Sequence, residues 1–140
     1  MKKKVNNMIV VRREVFSAAH RLYNNNFDHK TNKSIYGKCC DLHGHNFILE
    51  VKIKAPVDYE TGMVLNFTEL KDIVRKYVIS KVDHKYLNDD ILEFKTMLPT
   101  TENMLIVFWQ WLEQAFTDKS YKLYKLKLYE SENNYVSFSG

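Results

Sequence analysis

The sequence predicts an α+β fold, a four-stranded antiparallel sheet with two helices on one face. Three observations predict it. Apolar and polar residues alternate in two segments near the N-terminus, which is the strand period. Two central segments carry helical stripes, each behind a capping signal. Alternation then returns near the C-terminus. Strand, strand, helix, helix, strand, strand is an order that favours an antiparallel sheet backed by helices over repeated βαβ units. With 140 residues and no internal break in composition, residues 1–140 read as one domain, with residues 1–7 as a loosely held tail.

Residues 8–20 read as the first strand, with Phe16, Ala18 and His20 on one face. Residues 21–40 are polar, include Asn24-Asn25-Asn26 and read as a long loop, of a length that is more often functional than idle. In residues 47–55, Phe47, Leu49, Val51 and Ile53 alternate with Glu50, Lys52 and Lys54, giving a strand with one wet face. A turn over residues 58–62 follows. Asn66-Phe67-Thr68-Glu69 has capping-box spacing and opens a helix to residue 80, with Leu70, Ile73, Val74 and Tyr77 on its stripe. Pro99-Thr100-Thr101-Glu102 opens the second helix, whose Leu105, Phe108 and Leu112 face the core. Residues 122–130 and 134–138 read as the last two strands, joined at Ser131-Glu132-Asn133.

Composition narrows the function. Lys and Arg total 21 against 17 Asp and Glu, a net charge of +4. That excess is mild, and a nucleic-acid partner is not expected, because such binders concentrate a basic stripe. A polyanionic small molecule suits it. No apolar run approaches a membrane span, so no membrane partner is expected, and the run after residue 8 is too short for a signal-peptide core. Adjacent Cys39 and Cys40 cannot bridge each other in ordinary geometry. Reduced thiols in a cytoplasmic protein are the natural reading.

Four places carry candidate chemistry. His43 and His45 are one residue apart, so in an extended segment they share a face, and His20 lies on the matching face of the preceding strand. If those strands pair, three imidazoles converge, and three imidazoles with one open position make a catalytic zinc site. Nitrogen donors suit zinc better than magnesium or calcium. An isolated His-x-His is also a common surface or turn feature. Cys39 beside Lys38 is a candidate base or nucleophile, or else a small buried hydrophobe. Asp83-His84 has the composition of an acid–imidazole pair, in which the carboxylate fixes the tautomer, or of a helix-terminal ion pair. Glu130 is in phase with Tyr124, Leu126 and Leu128. An inward carboxylate there needs donors, from an internal cation or from two N–H groups of a heterocycle, unless the strand end turns to solvent.

Taken in order, Phe16-Ser17-Ala18-Ala19-His20-Arg21-Leu22, Gly37-Lys38-Cys39, His43-Gly44-His45-Asn46, Asp83-His84-Lys85, Pro99-Thr100-Thr101-Glu102-Asn103 and Tyr129-Glu130 strongly resemble one family. It is that of the 6-pyruvoyl- and 6-carboxy-tetrahydropterin synthases, and the resemblance runs over residues 8–138. It implies the tunnelling fold, in which three sheets join edge to edge in a barrel and two trimers stack as a homo-hexamer with active sites at subunit interfaces. Ring closure would remove the exposed sheet edges that an open sheet leaves. Position by position, the resemblance makes His20, His43 and His45 the ligands of a Zn2+ cofactor and Cys39 the catalytic cysteine. Asp83 and His84 become an acid–histidine relay, Glu130 the anchor of the pterin ring, and Thr100, Thr101 and Glu102 the lining of its pocket. The substrate implied is 7,8-dihydroneopterin triphosphate.

Within the family, the four-position spacing from Cys39 to His43 resembles many bacterial carboxy-forming enzymes, whereas Asp83-His84-Lys85 and Thr100-Thr101-Glu102-Asn103 look like the pyruvoyl type. The reading preferred from sequence is therefore a zinc-dependent lyase that forms 6-carboxy-5,6,7,8-tetrahydropterin with loss of triphosphate and acetaldehyde, for queuosine synthesis. The alternative is a 6-pyruvoyl-tetrahydropterin synthase, which eliminates triphosphate on the way to tetrahydrobiopterin. A more remote alternative is a non-catalytic pterin-binding member of the fold.

Overall fold

The computed structural model describes residues 6–140, so most of the expected N-terminal tail lies outside the described residues. The rest of that expectation is corrected. Asn7 already pairs with Pro56, and the Asn6 carbonyl accepts the Val57 N–H at 3.2 Å.

In chain order the elements are β1 (Asn7–His20), α1 (His29–Tyr36), β2 (His43–Pro56), α2 (Phe67–Val74), α3 (Ser80–Val82), β3 (Lys85–Tyr86), α4 (Leu87–Asp90), α5 (Thr101–Ala115), β4 (Lys122–Tyr129) and β5 (Tyr135–Phe138). A π-helical stretch, Arg75–Ile79, joins α2 to α3 without a break. The strands form one sheet in the spatial order β3-β1-β2-β4-β5. It therefore has five strands where four were expected, and it is mixed. The added strand, β3, pairs parallel to Ala18 and Ala19 over two residues, too few to show alternation in sequence. The other pairings are antiparallel, as expected.

The expected long loop is also corrected. Residues 29–36 form α1, and a 3-10 turn, Gly37–Cys40, follows. The Asp28 side chain caps α1 by accepting the Thr31 N–H at 2.7 Å. Asn32 on α1 is fully buried, and its amide donates to the carbonyls of Asn24 and Asp28 and accepts the Asn24 N–H. A polar helix held by one satisfied amide has no apolar stripe to betray it.

The core forms where the expected faces meet. Phe47, Leu49, Val51 and Ile53 of β2 are completely buried, with Phe16 of β1, Leu126 and Leu128 of β4, Leu70 and Val74 of α2, and Leu105, Phe108 and Leu112 of α5. Each such side chain contributes roughly 1.5–3 kcal/mol by leaving water. Phe16 stacks on Phe47 at 5.1 Å and meets Phe108 edge-on at 5.9 Å. On the opposite face of β1, Ile9, Val11 and Val15 are exposed.

One carboxylate lies in the inward row. Glu14 is buried, and Oε1 accepts Arg12 Nε at 2.9 Å and Arg75 Nε at 2.8 Å, tying the π-helical stretch to β1. Burial pushes its pKa up, but the two guanidinium groups outweigh that and hold it below the usual glutamate value. A group with a depressed folded-state pKa stabilises above its unfolded pKa and loses that contribution as pH falls through the folded value. Glu14→Gln should therefore cost about 1.5–3 kcal/mol in urea denaturation at pH 7. The difference from the parent should shrink towards zero near pH 3, and an equal difference at both pH values would contradict this account.

Candidate metal centre and active site

The β1–β2 ladder builds the site. Its register sets Phe16 opposite Phe47, Ala18 opposite His45, and His20 opposite His43. The inward row that begins as phenylalanine in the core thus continues as imidazole at the end of the sheet. Ring centroids of His20 stand 4.6 Å from His43 and 5.3 Å from His45, and those of His43 and His45 are 4.9 Å apart. Gly44 is needed between the two, since a Cβ there would lie 3.2 Å from the Ala18 carbonyl oxygen.

Backbone carbonyls orient two of the rings. His20 Nδ1–H donates to Pro99 O at 2.8 Å, and His43 Nδ1–H to Asp41 O at 2.7 Å. A carbonyl only accepts, so the proton sits on Nδ1 and the lone pair on Nε2. Nε2 of all three histidines is buried without a hydrogen-bond partner. Buried polar atoms are rarely left so. One ring nitrogen from each lies within 4.8 Å of the others, and the group could hold a metal ion. Burial lowers the pKa of His20, against the Pro99 bond, and burial likewise lowers that of His45, against the charge of Glu130. Both effects favour the neutral, metal-binding ring.

Glu130, just past β4, reaches this cluster. Its Oε1 stands 3.4 Å from His45 Nε2, and its Oε2 accepts Thr101 Oγ1–H at 2.7 Å. Thr100 caps α5 by accepting the Asn103 N–H at 3.1 Å, which fixes where Thr101 begins. Glu102 is exposed in the first turn of α5.

Asp83 and His84 follow α3. Asp83 Oδ1 accepts the Ser17 N–H at 2.9 Å, and Oδ2 lies 3.0 Å from His84 Nδ1. The Ser17 bond, opposed by burial and supported by His84, lowers the Asp83 pKa. His84 has φ +61°, unusual for a residue with a Cβ, and its N–H donates to Ser17 O at 2.6 Å. Its exposed ring borders an open cavity of about 470 Å³ whose walls include His45, Asn46 and Lys85. Cys39 is half-buried on the 3-10 turn and is not among the residues lining that cavity, and Cys40 is buried.

The structure thus gathers His20, His43, His45, Glu130 and Thr101, and places the Asp83–His84 pair across a cavity from His45. The orienting carbonyls of Pro99 and Asp41 could not be found from sequence, because every residue type supplies one. Ser17, which grips both Asp83 and His84 through its backbone, left no signal for the same reason.

A sheet backed by helices, ending in three convergent imidazoles beside a glutamate, is the architecture of a pterin-synthase-type lyase. The family described as 6-pyruvoyl tetrahydropterin synthase matches residues 9–140, and the chain belongs to it. It is 47% identical over 133 residues to the 6-pyruvoyl tetrahydrobiopterin synthase of Dictyostelium discoideum, covering 95% of this chain and 96% of that one. Identity to the 6-carboxy-5,6,7,8-tetrahydropterin synthase of Rickettsia typhi is 30% over 141 residues, covering 89% and 95%. The structure of Caenorhabditis elegans 6-pyruvoyl tetrahydropterin synthase superposes with a TM-score of 0.91 at 33% identity, over 99% of both chains.

Removing one of the three nitrogens should undo the cluster. Equilibrium dialysis should give about one divalent ion per chain for the parent and under about a tenth of that for His43→Ala, since two imidazoles do not complete a three-ligand site. Full occupancy in His43→Ala would remove His43 from the ligand set.

Proposed function

We propose that this protein is a zinc-dependent 6-pyruvoyl tetrahydropterin synthase, which takes 7,8-dihydroneopterin triphosphate and eliminates triphosphate. Similarity over the whole chain carries this reading, at 47% identity to a pyruvoyl-forming relative against 30% to a carboxy-forming one. That reverses the preference drawn from the Cys39–His43 spacing, which rests on one short loop. A non-catalytic role is not favoured, since the thiol, the relay and the histidines are all present.

His20, His43 and His45 are the residues that would hold zinc, with their Nε2 lone pairs. When bound, the ion supplies Lewis-acid stabilisation to oxygen on the substrate side chain. Glu130 receives the pterin's amino group and ring N–H, which suits a carboxylate held beside His45. Thr101 steadies its second oxygen. Cys39, as thiolate, takes a proton from side-chain carbon. The electron pair released expels triphosphate as the carbon–oxygen bond breaks, and later protonation at carbon completes the rearrangement without external oxidant. Asp83 orients His84 through Nδ1, which leaves Nε2 to carry protons. Thr100 and Glu102, at the start of α5, complete the pocket rim.

A homo-hexamer of two stacked trimers fits this chemistry. Beyond its contact with β3 at Ala18 and Ala19, the outer edge of β1 is open among the described residues, and β5 is a four-residue edge strand. Edges of that kind are satisfied when sheets join. Assembly would also let the relay of one chain meet the thiol of another. No helix among the described residues is long and apolar enough to cross a membrane. Two free thiols accord with a cytoplasmic setting.

Mass spectrometry of the products from 7,8-dihydroneopterin triphosphate should show 6-pyruvoyl-tetrahydropterin and triphosphate. Acetaldehyde with 6-carboxy-tetrahydropterin would instead assign the carboxy-forming reaction. The two cysteines should separate cleanly. Cys39→Ala should lower kcat by about 10²- to 10⁴-fold with metal content unchanged, the usual worth of a proton-transfer group. Cys40→Ala should leave kcat near the parent value and reduce only thermal stability, because Cys40 is a packed core residue. A larger loss of kcat at Cys40 would show that the thiol assignment is reversed.

A further inference from the structure

We propose that Arg21 and Asn88 are positioning residues that fix the turn bearing Cys39 to the end of the strand bearing His20. The proposal rests on the assignment of Cys39 as the reacting thiol. β1 ends at His20, so Arg21 has no strand partner. Asn88 on α4 takes that partner's place. Its Oδ1 accepts the Arg21 N–H at 3.0 Å, and its Nδ2 donates to the Arg21 carbonyl at 2.9 Å. One side-chain amide therefore holds both peptide groups flanking the Arg21 Cα, as a residue of a neighbouring strand would.

From this fixed point two bonds reach the thiol turn. Arg21 Nε–H donates to the Cys40 carbonyl at 2.9 Å, and the Leu22 N–H donates to the Cys39 carbonyl at 2.7 Å. Consecutive carbonyls of a four-residue 3-10 turn are thereby tied to the residues that directly follow His20. The Arg21 guanidinium also lies over the Tyr23 ring, 4.4 Å from its centroid, which limits its own freedom. Such a short turn has little stability of its own. The direction of the Cys39 side chain is then inherited from the clamp, while the direction of His20 is inherited from the strand. Asn88 joins the two frames.

The test uses the full-length, zinc-loaded protein and the variants Asn88→Ala, Arg21→Ala, Arg21→Lys and Cys39→Ala. Asn88→Ala and Arg21→Ala should each lower kcat by about 10- to 100-fold, the cost of misplacing a reacting group by roughly an ångström, with KM within about twofold. Zinc per chain should not change. Arg21→Lys should recover part of the loss, because an ammonium still donates to the Cys40 carbonyl, and it carries the same comparison should Asn88→Ala not fold. Added to Cys39→Ala, Asn88→Ala should cause no further loss, since groups acting as a unit are not additive. Independently of turnover, iodoacetamide should alkylate Cys39 several-fold faster in Asn88→Ala, read site by site in peptide mass spectra. Unchanged kcat and unchanged alkylation would overturn the proposal, as would a loss expressed wholly in KM or accompanied by loss of zinc. A fully active Cys39→Ala would refute the assignment of the thiol instead, and the alkylation rates would still decide the clamp.

Discussion

The structure depends on the register of one antiparallel pair, the two 14-residue strands β1 and β2. Side chains on a strand alternate with a period of two, so a slip of one residue would turn every inward group outward. Here the inward groups are both the centre of the core and the candidate metal ligands. Phe16 and Phe47 pack where the helices cover the sheet, and His20, His43 and His45 continue the same rows past that cover. Burial of the phenylalanines therefore fixes the imidazoles. No separate device is needed to make the rings converge; local bonds to Pro99 and Asp41 only set their rotation and tautomer.

What lies outside that ladder is attached to it. Ser17 holds Asp83 and His84 through its backbone, Glu14 holds Arg75, and Arg21 is gripped by Asn88. These attachments are polar, and each ties β1 to a helix or to the segment following one. The core supplies the cohesion of the domain, whereas hydrogen bonds of this kind decide where individual side chains stand. That division explains why a site can be assembled from residues far apart in the chain without its own apolar packing.

Legibility in the sequence followed the same division. Phe47, Leu49, Val51 and Ile53 announced β2 because one face is wet, and the caps at Asn66 and Thr100 marked helices that do begin there. Convergence of the three histidines was readable because it is a consequence of alternation. By contrast, α1 was missed because its order comes from Asn32 and Asp28 rather than from an apolar stripe, and β3 because two residues cannot show a period. The clamp on the Cys39 turn was unreadable for another reason. Asn88 acts on the backbone of Arg21, and nothing in a sequence reports which amide meets which peptide group. Branch assignment within the family failed where a single loop spacing was weighed against the character of the whole chain.

The left-handed backbone of His84 decides how that residue can be studied. Any replacement alters two things together, the chemistry of the ring and the ease with which the residue occupies φ +61°. Alanine in that region is disfavoured by about 1–2 kcal/mol, whereas asparagine adopts it readily. An alanine scan would therefore overstate the worth of the imidazole by adding a conformational penalty to it, and a glycine substitution would understate the damage by relaxing the chain. Asparagine, equal in backbone tolerance and lacking the titrating ring, is the reference against which the proton chemistry of this position can be weighed.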